Sequence, residues 1–157
     1  MHVDVTGAVS QDMAPFLVDL AKSFRVSVDA SALLVEHAGA LCTRIIGVKE
    51  VGDVRHLYID DGCYGSLYRD WNSDRQVEHT PLPLLNTRSS ETETTTIWGP
   101  TCDGLDCVCK NVVLPKMQVD EWLVFPDMGL ASGMGTAFNG FDPPDVAYCV
   151  LGYFRHL

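Results

Sequence analysis

The chain has 157 residues, a length that supports one domain with its own hydrophobic core. Its 11 basic and 21 acidic residues give a formal charge of −10, which excludes nucleic acid and anionic lipid as expected partners. Hydrophobic residues make up 46% of the sequence, as in a globular protein, yet no apolar run is long enough to cross a membrane. The N-terminal residues lack a secretory signal, so we expect a cytoplasmic protein.

The first predicted element is an amphipathic helix over residues 12–24. Apolar residues recur there at spacings of three and four, and Pro15 fits the first turn. Ser10 or Asp12 is expected to cap the start of the helix. Residues 25–29 then alternate between apolar and polar, which predicts a strand.

The rest of the chain is predicted to be mainly β-structure. Strand-like stretches occur at 33–35, 41–48, 54–59, 64–68, 94–98, 118–125 and 146–154, with a short edge strand at 82–85. Turns are predicted at 60–62 and 138–141, and residues 72–93 are predicted to be a long surface connection. Several short strands with one helix predict a β-sandwich or a barrel.

The six cysteines are scattered along the sequence: Cys42, Cys63, Cys102, Cys107, Cys109 and Cys149. In a reducing cytosol, such a set predicts free buried thiols and not a disulfide framework. Cys107 and Cys109 alternate in a predicted strand or turn, but no second pair of cysteines or histidines stands at the spacing of a zinc site. We therefore expect no metal site.

The loop after residues 94–98 holds the strongest candidate for chemistry. Gly99-Pro100 ends the predicted strand and places Cys102 and Asp103 in a loop, where a thiol can donate a proton or act as a nucleophile. The alternative is a purely structural cysteine, because free cysteines mostly behave as small hydrophobic residues.

Three weaker candidates have structural explanations. Asp60-Asp61-Gly62 lacks the further acidic residues of a Ca²⁺ loop and is better explained as a solvated turn. His37 and His56 have apolar neighbours, where histidines usually are satisfied core or edge side chains. The glycine-rich stretch 128–135 has no evident helix after it, so it is weak evidence for a phosphate site.

The run Trp98-Gly99-Pro100-Thr101-Cys102-Asp103-Gly104-Leu105-Asp106 resembles the signature of the C-terminal domain of eukaryotic ornithine decarboxylases, which use pyridoxal phosphate. Residues 61–66, 114–125, 128–129 and 138–141 resemble further blocks of this family in the same order. The resemblance covers nearly the whole chain. It implies that residues 36–157 form the C-terminal β domain, a sandwich or Greek-key-like barrel. Residues 1–35 would be a remnant of the cofactor-binding (β/α)8 barrel.

The resemblance also implies roles for the loop residues. In this family the active site lies between two subunits of a dimer, and one subunit supplies the signature loop. By this resemblance, Cys102 donates a proton to the carbanion left by CO₂ loss, and Asp103 binds the distal ammonium of a basic amino acid such as ornithine. Pyridoxal phosphate is the implied cofactor, and an identical or full-length decarboxylase subunit is the implied partner.

Other family positions differ in this sequence. Asp29 keeps an acid where the family contacts the pyridine nitrogen, but Ala32 replaces the arginine that binds the cofactor phosphate. Ala131 stands where the family has a phosphate-binding tyrosine. The second substrate aspartate of the family falls near Ser73, although a slip of the alignment offers Asp70 or Asp74 instead. The Schiff-base lysine belongs to barrel segments that have no counterpart in the sequence.

These residues leave two principal hypotheses. In the first, the chain is an ornithine decarboxylase-like protein of putrescine biosynthesis that contributes Cys102 and Asp103 to a shared active site. In the second, it is a non-catalytic paralogue that binds a decarboxylase subunit, similar to an antizyme inhibitor. We expect the isolated chain to be inactive in either case. A third hypothesis is a sheet domain that folds without a function of its own, or a truncated product. Apolar surface that packs against the barrel in the family would then be exposed, which predicts self-association.

Overall fold

The computed structural model describes residues 2–5, 13–28, 35–67, 80–84, 90–129 and 141–148. These ranges contain one α-helix, α1 (Ala14–Ala21), and eight strands: β1 (His2–Val5), β2 (Arg25–Val28), β3 (Leu41–Val51), β4 (Val54–Ile59), β5 (Leu82–Pro83), β6 (Thr92–Trp98), β7 (Cys107–Pro115) and β8 (Trp122–Phe125). A short 3₁₀ helix, Glu36–Ala38, precedes β3. In the described part of the chain, no helix has the length and apolar character needed to cross a membrane.

The N-terminal elements form a small unit of their own. β1 and β2 are parallel partners joined through α1, as the crossover rule for parallel strands requires. The predicted helix is confirmed, with Pro15 in its first turn. The predicted side-chain cap is wrong, because the residue at the cap position is Met13, which makes no capping hydrogen bond. Neither α1 nor β2 has a buried residue, so these two elements do not contribute to the core that the structure describes.

The other strands form one six-stranded sheet in the order β5-β8-β3-β4-β6-β7. Neighbours are antiparallel except β4 and β6, which run parallel. β5 and β7, at opposite ends of this order, come close together, so the sheet is nearly closed into a barrel. The prediction of a mainly β, barrel-like domain is confirmed.

The core lies inside this sheet because alternate residues of each strand point inwards. Fully buried apolar side chains come from β3, β4, β6, β7 and β8 and from the segments after β4 and β7: Ile45, Leu57, Ile59, Leu67, Ile97, Val108, Met117, Leu123 and Phe125. Among them, Leu67 anchors the turn after β4 to the core. The position of that turn matters for the site described below.

Arg55 is a charged side chain that lies within this core, 4% exposed. Its Nε and Nη2 donate to the carbonyl oxygen of Met117 at 3.1 and 2.8 Å, and its Nη1 donates to Glu50 Oε1 at 2.6 Å. The carboxylate of Glu93 lies 3.5 Å from Nε. The charge is tolerated there because it is both paired and hydrogen-bonded.

Some strand predictions are wrong or lie outside the described ranges. Residues 64–67 form a turn and not a strand, because the N–H groups of Gly65 and Leu67 both bond to the carbonyl of Gly62. The strand predicted over 118–125 begins only at Trp122, since a turn at 118–121 precedes it. Residues 146–148 are not part of a strand. The predicted segments 33–34, 138–140 and 149–154 fall outside the described residues.

Candidate functional site

The loop that holds Cys102 and Asp103 runs over residues 99–106 and joins β6 to β7. Its base is closed by a backbone hydrogen bond from Gly99 N to Asp106 O at 2.9 Å. A second bond, from Asp106 N to Asp103 O at 3.0 Å, folds the tip into a turn. The loop predicted from Gly99-Pro100 is therefore present, and it is internally hydrogen-bonded.

Asp106 joins this loop to the turn after β4. Its side chain is 1% exposed, and each carboxylate oxygen accepts a backbone N–H from a different segment. Oδ2 accepts from Thr101 N at 3.1 Å, within the loop, and Oδ1 accepts from Cys63 N at 2.8 Å, in the turn. A buried carboxylate is stable only with such partners, so Asp106 fixes the two segments against each other.

Two glycines make room for the Asp106 carboxylate. A β-carbon on Gly99 would overlap both carboxylate oxygens, and one on Gly62 would meet Oδ1 and also the Cα of Gly99 at 2.8 Å. Neither glycine has a positive φ, so space is the reason for glycine at these positions. The two backbones approach each other closely here, which places the turn of 62–67 beside the loop.

The turn after β4 is shaped by Asp61. Its Oδ1 accepts the N–H groups of Gly62 at 2.7 Å and Ser66 at 2.9 Å, an arrangement in which a short side chain replaces backbone pairing. The turn presents the Tyr64 side chain towards the loop. There the Tyr64 hydroxyl donates a hydrogen bond to Oδ2 of Asp103.

Asp103 is exposed, but its carboxylate has fixed partners. Oδ1 accepts from Leu105 N at 2.9 Å, while Oδ2 accepts from Tyr64. These bonds, that from Tyr64 first, lower the pKa of Asp103 below its ordinary value. The same contact raises the pKa of Tyr64 to about 12, because ionising the phenol would lose the bond and place two negative charges together. At neutral pH the pair is a neutral donor and a charged acceptor.

Cys102 lies at the tip of the loop as an exposed free thiol. Leu105, in the same loop, is 56% exposed. Cys102 and Asp103, the adjacent pair that the sequence predicted as the site, are thus both exposed to solvent on this loop.

The other residues to which the sequence analysis assigned a role are not among the residues that the structure describes. Asp29, Ala32 and Ala131, together with Ser73 and Cys149, lie outside the described residues. Among the described residues, no group of three or more His, Cys, Asp or Glu could hold a metal ion. The charged groups described in the loop are carboxylates, so the loop does not fit the phosphate of the cofactor that the family resemblance implies.

The two histidines weighed from the sequence have structural partners. His56 stacks on Trp98 with ring centroids 6.1 Å apart, and its Nδ1 accepts from Trp98 Nε1 at 2.9 Å. His37 Nδ1 lies 2.5 Å from Asp127 Oδ1 on the surface. In the predicted solvated turn, Asp60 Oδ1 accepts from Arg44 N at 2.9 Å. His56, His37 and Asp60 thus have partners within the protein, and their positions are explained without a bound ligand.

Sequence reasoning singled out neither Tyr64 nor Asp106, although both lie in the family-like blocks. The sequence signal for this contact was the pair of glycines, Gly62 and Gly99, because a glycine can mark the close approach of two backbone segments. That signal does not reveal which side chain fills the space between them.

Comparisons with family models and with known proteins point to the same family of decarboxylases. Residues 7–129 match the model of a family described as pyridoxal-dependent decarboxylase, C-terminal sheet domain. The chloroplastic ornithine decarboxylase of Nicotiana glutinosa is 39% identical over 124 residues, 74% of this chain and 29% of that relative. Antizyme inhibitor 2 of Xenopus laevis is 37% identical over 98 residues, 59% of this chain and 20% of that protein. The chain thus spans less than a third of the length of either relative.

Solved structures show the same fold. The arginine decarboxylase of Paramecium bursaria Chlorella virus superposes with a TM-score of 0.74 at 24% identity, over 90% of this chain and 41% of that one. A lysine/ornithine decarboxylase of Vibrio vulnificus complexed with cadaverine gives a TM-score of 0.67 at 24% identity, over 85% and 36%. Identity at this level supports a conclusion about the fold only.

Proposed function

The chain belongs to the family of the pyridoxal-dependent decarboxylase C-terminal sheet domain, and from this premise we propose that it contributes Cys102 and Asp103 to a decarboxylase active site shared with a second subunit. The observation that carries the proposal is the ordered, solvent-facing loop in which an exposed thiol adjoins a carboxylate with fixed partners. The proposed reaction is decarboxylation of a basic amino acid such as ornithine, in cytoplasmic putrescine synthesis.

Each loop residue has one task in this proposal. Cys102 donates its thiol proton to the carbon that has lost CO₂, and the thiolate is reprotonated from solvent before the next turnover. Asp103 binds the distal ammonium of the substrate, because its carboxylate is ionised at neutral pH and its pKa lies below the ordinary value. Selection of a cationic substrate and protonation of the product thus come from neighbouring positions.

The second subunit is needed because the loop alone is open to water. A proton donor discriminates between carbon and solvent only where water is excluded, so another surface has to cover the tip. Exposed Leu105 gives that contact an apolar element. We propose that the partner is a full-length decarboxylase subunit.

The cofactor belongs to that partner in our proposal. Pyridoxal phosphate supplies the electron sink for decarboxylation when bound. Its phosphate calls for positive charge or clustered N–H donors, and the carboxylates of Asp103 and Asp106 do not supply them. In this proposal, the described loop therefore binds the substrate ammonium and supplies the proton.

We extend the proposal to the domain boundaries. Residues 36–157 would be the C-terminal β domain, and residues 1–35 the remainder of a barrel. The parallel pair β1–β2 with α1 supports this division, because parallel strands of barrels are covered on both faces by helices and neighbouring strands. Phe16 and Val18 of α1 are 62% and 64% exposed, which accords with the predicted self-association.

A non-catalytic paralogue is the second candidate function. It is favoured by Ala32 and Ala131, which stand at positions where the family has an arginine and a tyrosine. Similarity to Antizyme inhibitor 2 also favours it. In that case the chain binds a decarboxylase subunit, but its loop takes no part in catalysis.

One experiment tests both candidates. The chain is mixed with a full-length ornithine decarboxylase whose own signature-loop cysteine is replaced by alanine, and release of CO₂ from labelled ornithine is measured with pyridoxal phosphate present. We expect activity in the mixture, loss of it with Cys102→Ala, and retention with Cys42→Ala, the matched control at another exposed thiol. Sedimentation of the same mixture shows whether the two chains bind each other. Binding without activity would establish the non-catalytic paralogue, and the absence of both binding and activity would exclude both candidate functions.

A further inference from the structure

The Asp103 carboxylate has more fixed hydrogen-bond partners than is usual for an exposed side chain in a loop. A side chain at an exposed loop tip ordinarily samples several rotamers, yet here each carboxylate oxygen has its own donor. One donor, Leu105 N at 2.9 Å, belongs to the loop itself. The other is the hydroxyl of Tyr64, which comes from a separate turn, 39 positions earlier in the sequence.

Tyr64 is itself anchored on both sides. The turn that presents it is closed by the Asp61 side chain and ends at Leu67, which is 2% exposed in the core. The Asp106 carboxylate then ties that turn to the loop through Cys63 N at 2.8 Å. The backbone that carries Tyr64 is therefore held against the loop by contacts that do not involve the loop tip.

We propose that Tyr64 is a positioning residue for the substrate: by donating to Oδ2 of Asp103, it holds the carboxylate in one orientation, ready for the distal ammonium. This inference rests on the proposed function. Tyr64 neither gives nor takes a proton in it. It removes rotamer freedom from Asp103 before the substrate arrives, so that this entropy is not lost on binding.

The chemistry of the contact fits the role. A carboxylate oxygen has two lone pairs, so Oδ1 and Oδ2 each keep an acceptor position after bonding to Leu105 and Tyr64. An ammonium group, with three donors, can use the positions that remain. A phenylalanine at position 64 would keep the ring and remove the bond, which makes Tyr64→Phe the variant of choice.

The first test uses the chain alone. The titration of each aspartate carboxyl carbon is followed by NMR in the wild type and in Tyr64→Phe, with Tyr58→Phe on β4 as the matched control. We expect the Asp103 midpoint to lie below the ordinary value of 3.8 in the wild type and in the control, and to rise towards it in Tyr64→Phe. In the reciprocal variant, Asp103→Asn, the pKa of Tyr64 is expected to fall from about 12 towards 10.0. If neither midpoint moves, Tyr64 does not hold Asp103 and the proposal is wrong.

The second test uses the mixed enzyme described above. Because the partner's own cysteine is absent, the measured KM belongs to the site that contains the loop of this chain. We expect Tyr64→Phe to raise the KM for ornithine about three- to tenfold, the cost of fixing one side chain, with kcat changed by less than about twofold. An unchanged KM would overturn the positioning role.

The two proposals fail in different ways. If the wild-type chain restores no activity, the proposed function fails and the substrate role of Tyr64 fails with it, while the NMR midpoints still decide the contact. If the wild type restores activity and Tyr64→Phe leaves KM unaltered, only the positioning role is lost. A fall in kcat at constant KM would assign Tyr64 to the chemical step and would likewise contradict the proposal.

Discussion

The carboxylate of Asp106 occupies the space that a β-carbon at position 99 would need: such an atom on Gly99 would lie 2.5 Å from Cγ of Asp106 and closer still to both oxygens. The run from Gly99 to Asp106 therefore folds back on itself, with the first residue fitted against the last side chain. Since the same carboxylate also bonds to the turn at Cys63, a change at Gly99 should disturb the position of Cys102 and Asp103 without touching either.

Gly99→Ala is expected to destabilise the fold by about 1–3 kcal/mol, because a methyl group would be inserted into a filled site. Gly104→Ala, in the same loop, is the control, since a β-carbon there has no heavy atom within 4 Å. Urea unfolding of both variants measures the difference. Equal free energies of unfolding for the two variants would contradict the packing described here.

Asp106→Asn tests the carboxylate itself. The amide keeps one oxygen acceptor but turns its NH₂ group towards the N–H of Cys63 or of Thr101, so one bond is replaced by a clash of donors. We expect a loss of about 1–3 kcal/mol in the free energy of unfolding and faster hydrogen exchange at that N–H. Asp53→Asn, at an exposed residue in the turn between β3 and β4, is the control and should change neither quantity.

How far the sequence predicts the sheet is shown by β4 and the turn after it. β4 was predicted over 54–59, the bounds that the structure has, because this strand-like stretch runs directly into the turn signal Asp60-Asp61-Gly62. The turn was mistaken for a strand at 64–68, since Tyr64, Leu67 and Tyr68 favour strands. Local hydrogen bonds from Asp61 outweigh that propensity, and a propensity argument does not include them.

The candidate site was also predictable only where local sequence patterns carry the information. Cys102 and Asp103 were found because they are contiguous and the residues before them break a strand. Tyr64 and Asp106 act through contacts between segments about 40 positions apart, which depend on how β4 and β6 pair. Such contacts follow from the register of the sheet, which local residue patterns in one sequence do not reveal.

Thiol reactivity separates the exposed from the buried cysteines. Cys42 and Cys102 are exposed, whereas Cys63, Cys107 and Cys109 are at most 9% exposed, so the prediction of buried thiols holds for three of these five. Alkylation of the folded chain, quantified peptide by peptide, should label the two exposed residues at least about tenfold faster, because the others react only after local opening. Equal rates for Cys102 and Cys63 would contradict the exposed loop.

Arg55, whose side chain is buried in the core, is expected to be essential for the stability of the fold. Arg55→Ala removes three hydrogen bonds and leaves the carbonyl of Met117 and the carboxylate of Glu93 without their cation, a loss of about 3–5 kcal/mol. Lys49→Ala, which removes a positive charge from an exposed position on β3, should cost less than about 0.5 kcal/mol. Thermal unfolding of the two variants gives the comparison, and similar midpoints would show that the buried charge is not needed.

The contact between Tyr64 and Asp103 predicts a specific pH dependence of stability. The folded pKa of Asp103 is lowered, so its contribution is present above the ordinary value of 3.8 and is lost as the pH falls through the folded value. The folded pKa of Tyr64 is raised, so its contribution is present below 10.0 and is lost as the pH rises through about 12. The difference in unfolding free energy between the wild type and Tyr64→Phe should therefore be constant between about pH 5 and 9 and decline on both sides. Urea unfolding across this range measures the difference, and a difference that changed sign or slope near neutrality would show that another group controls the contact.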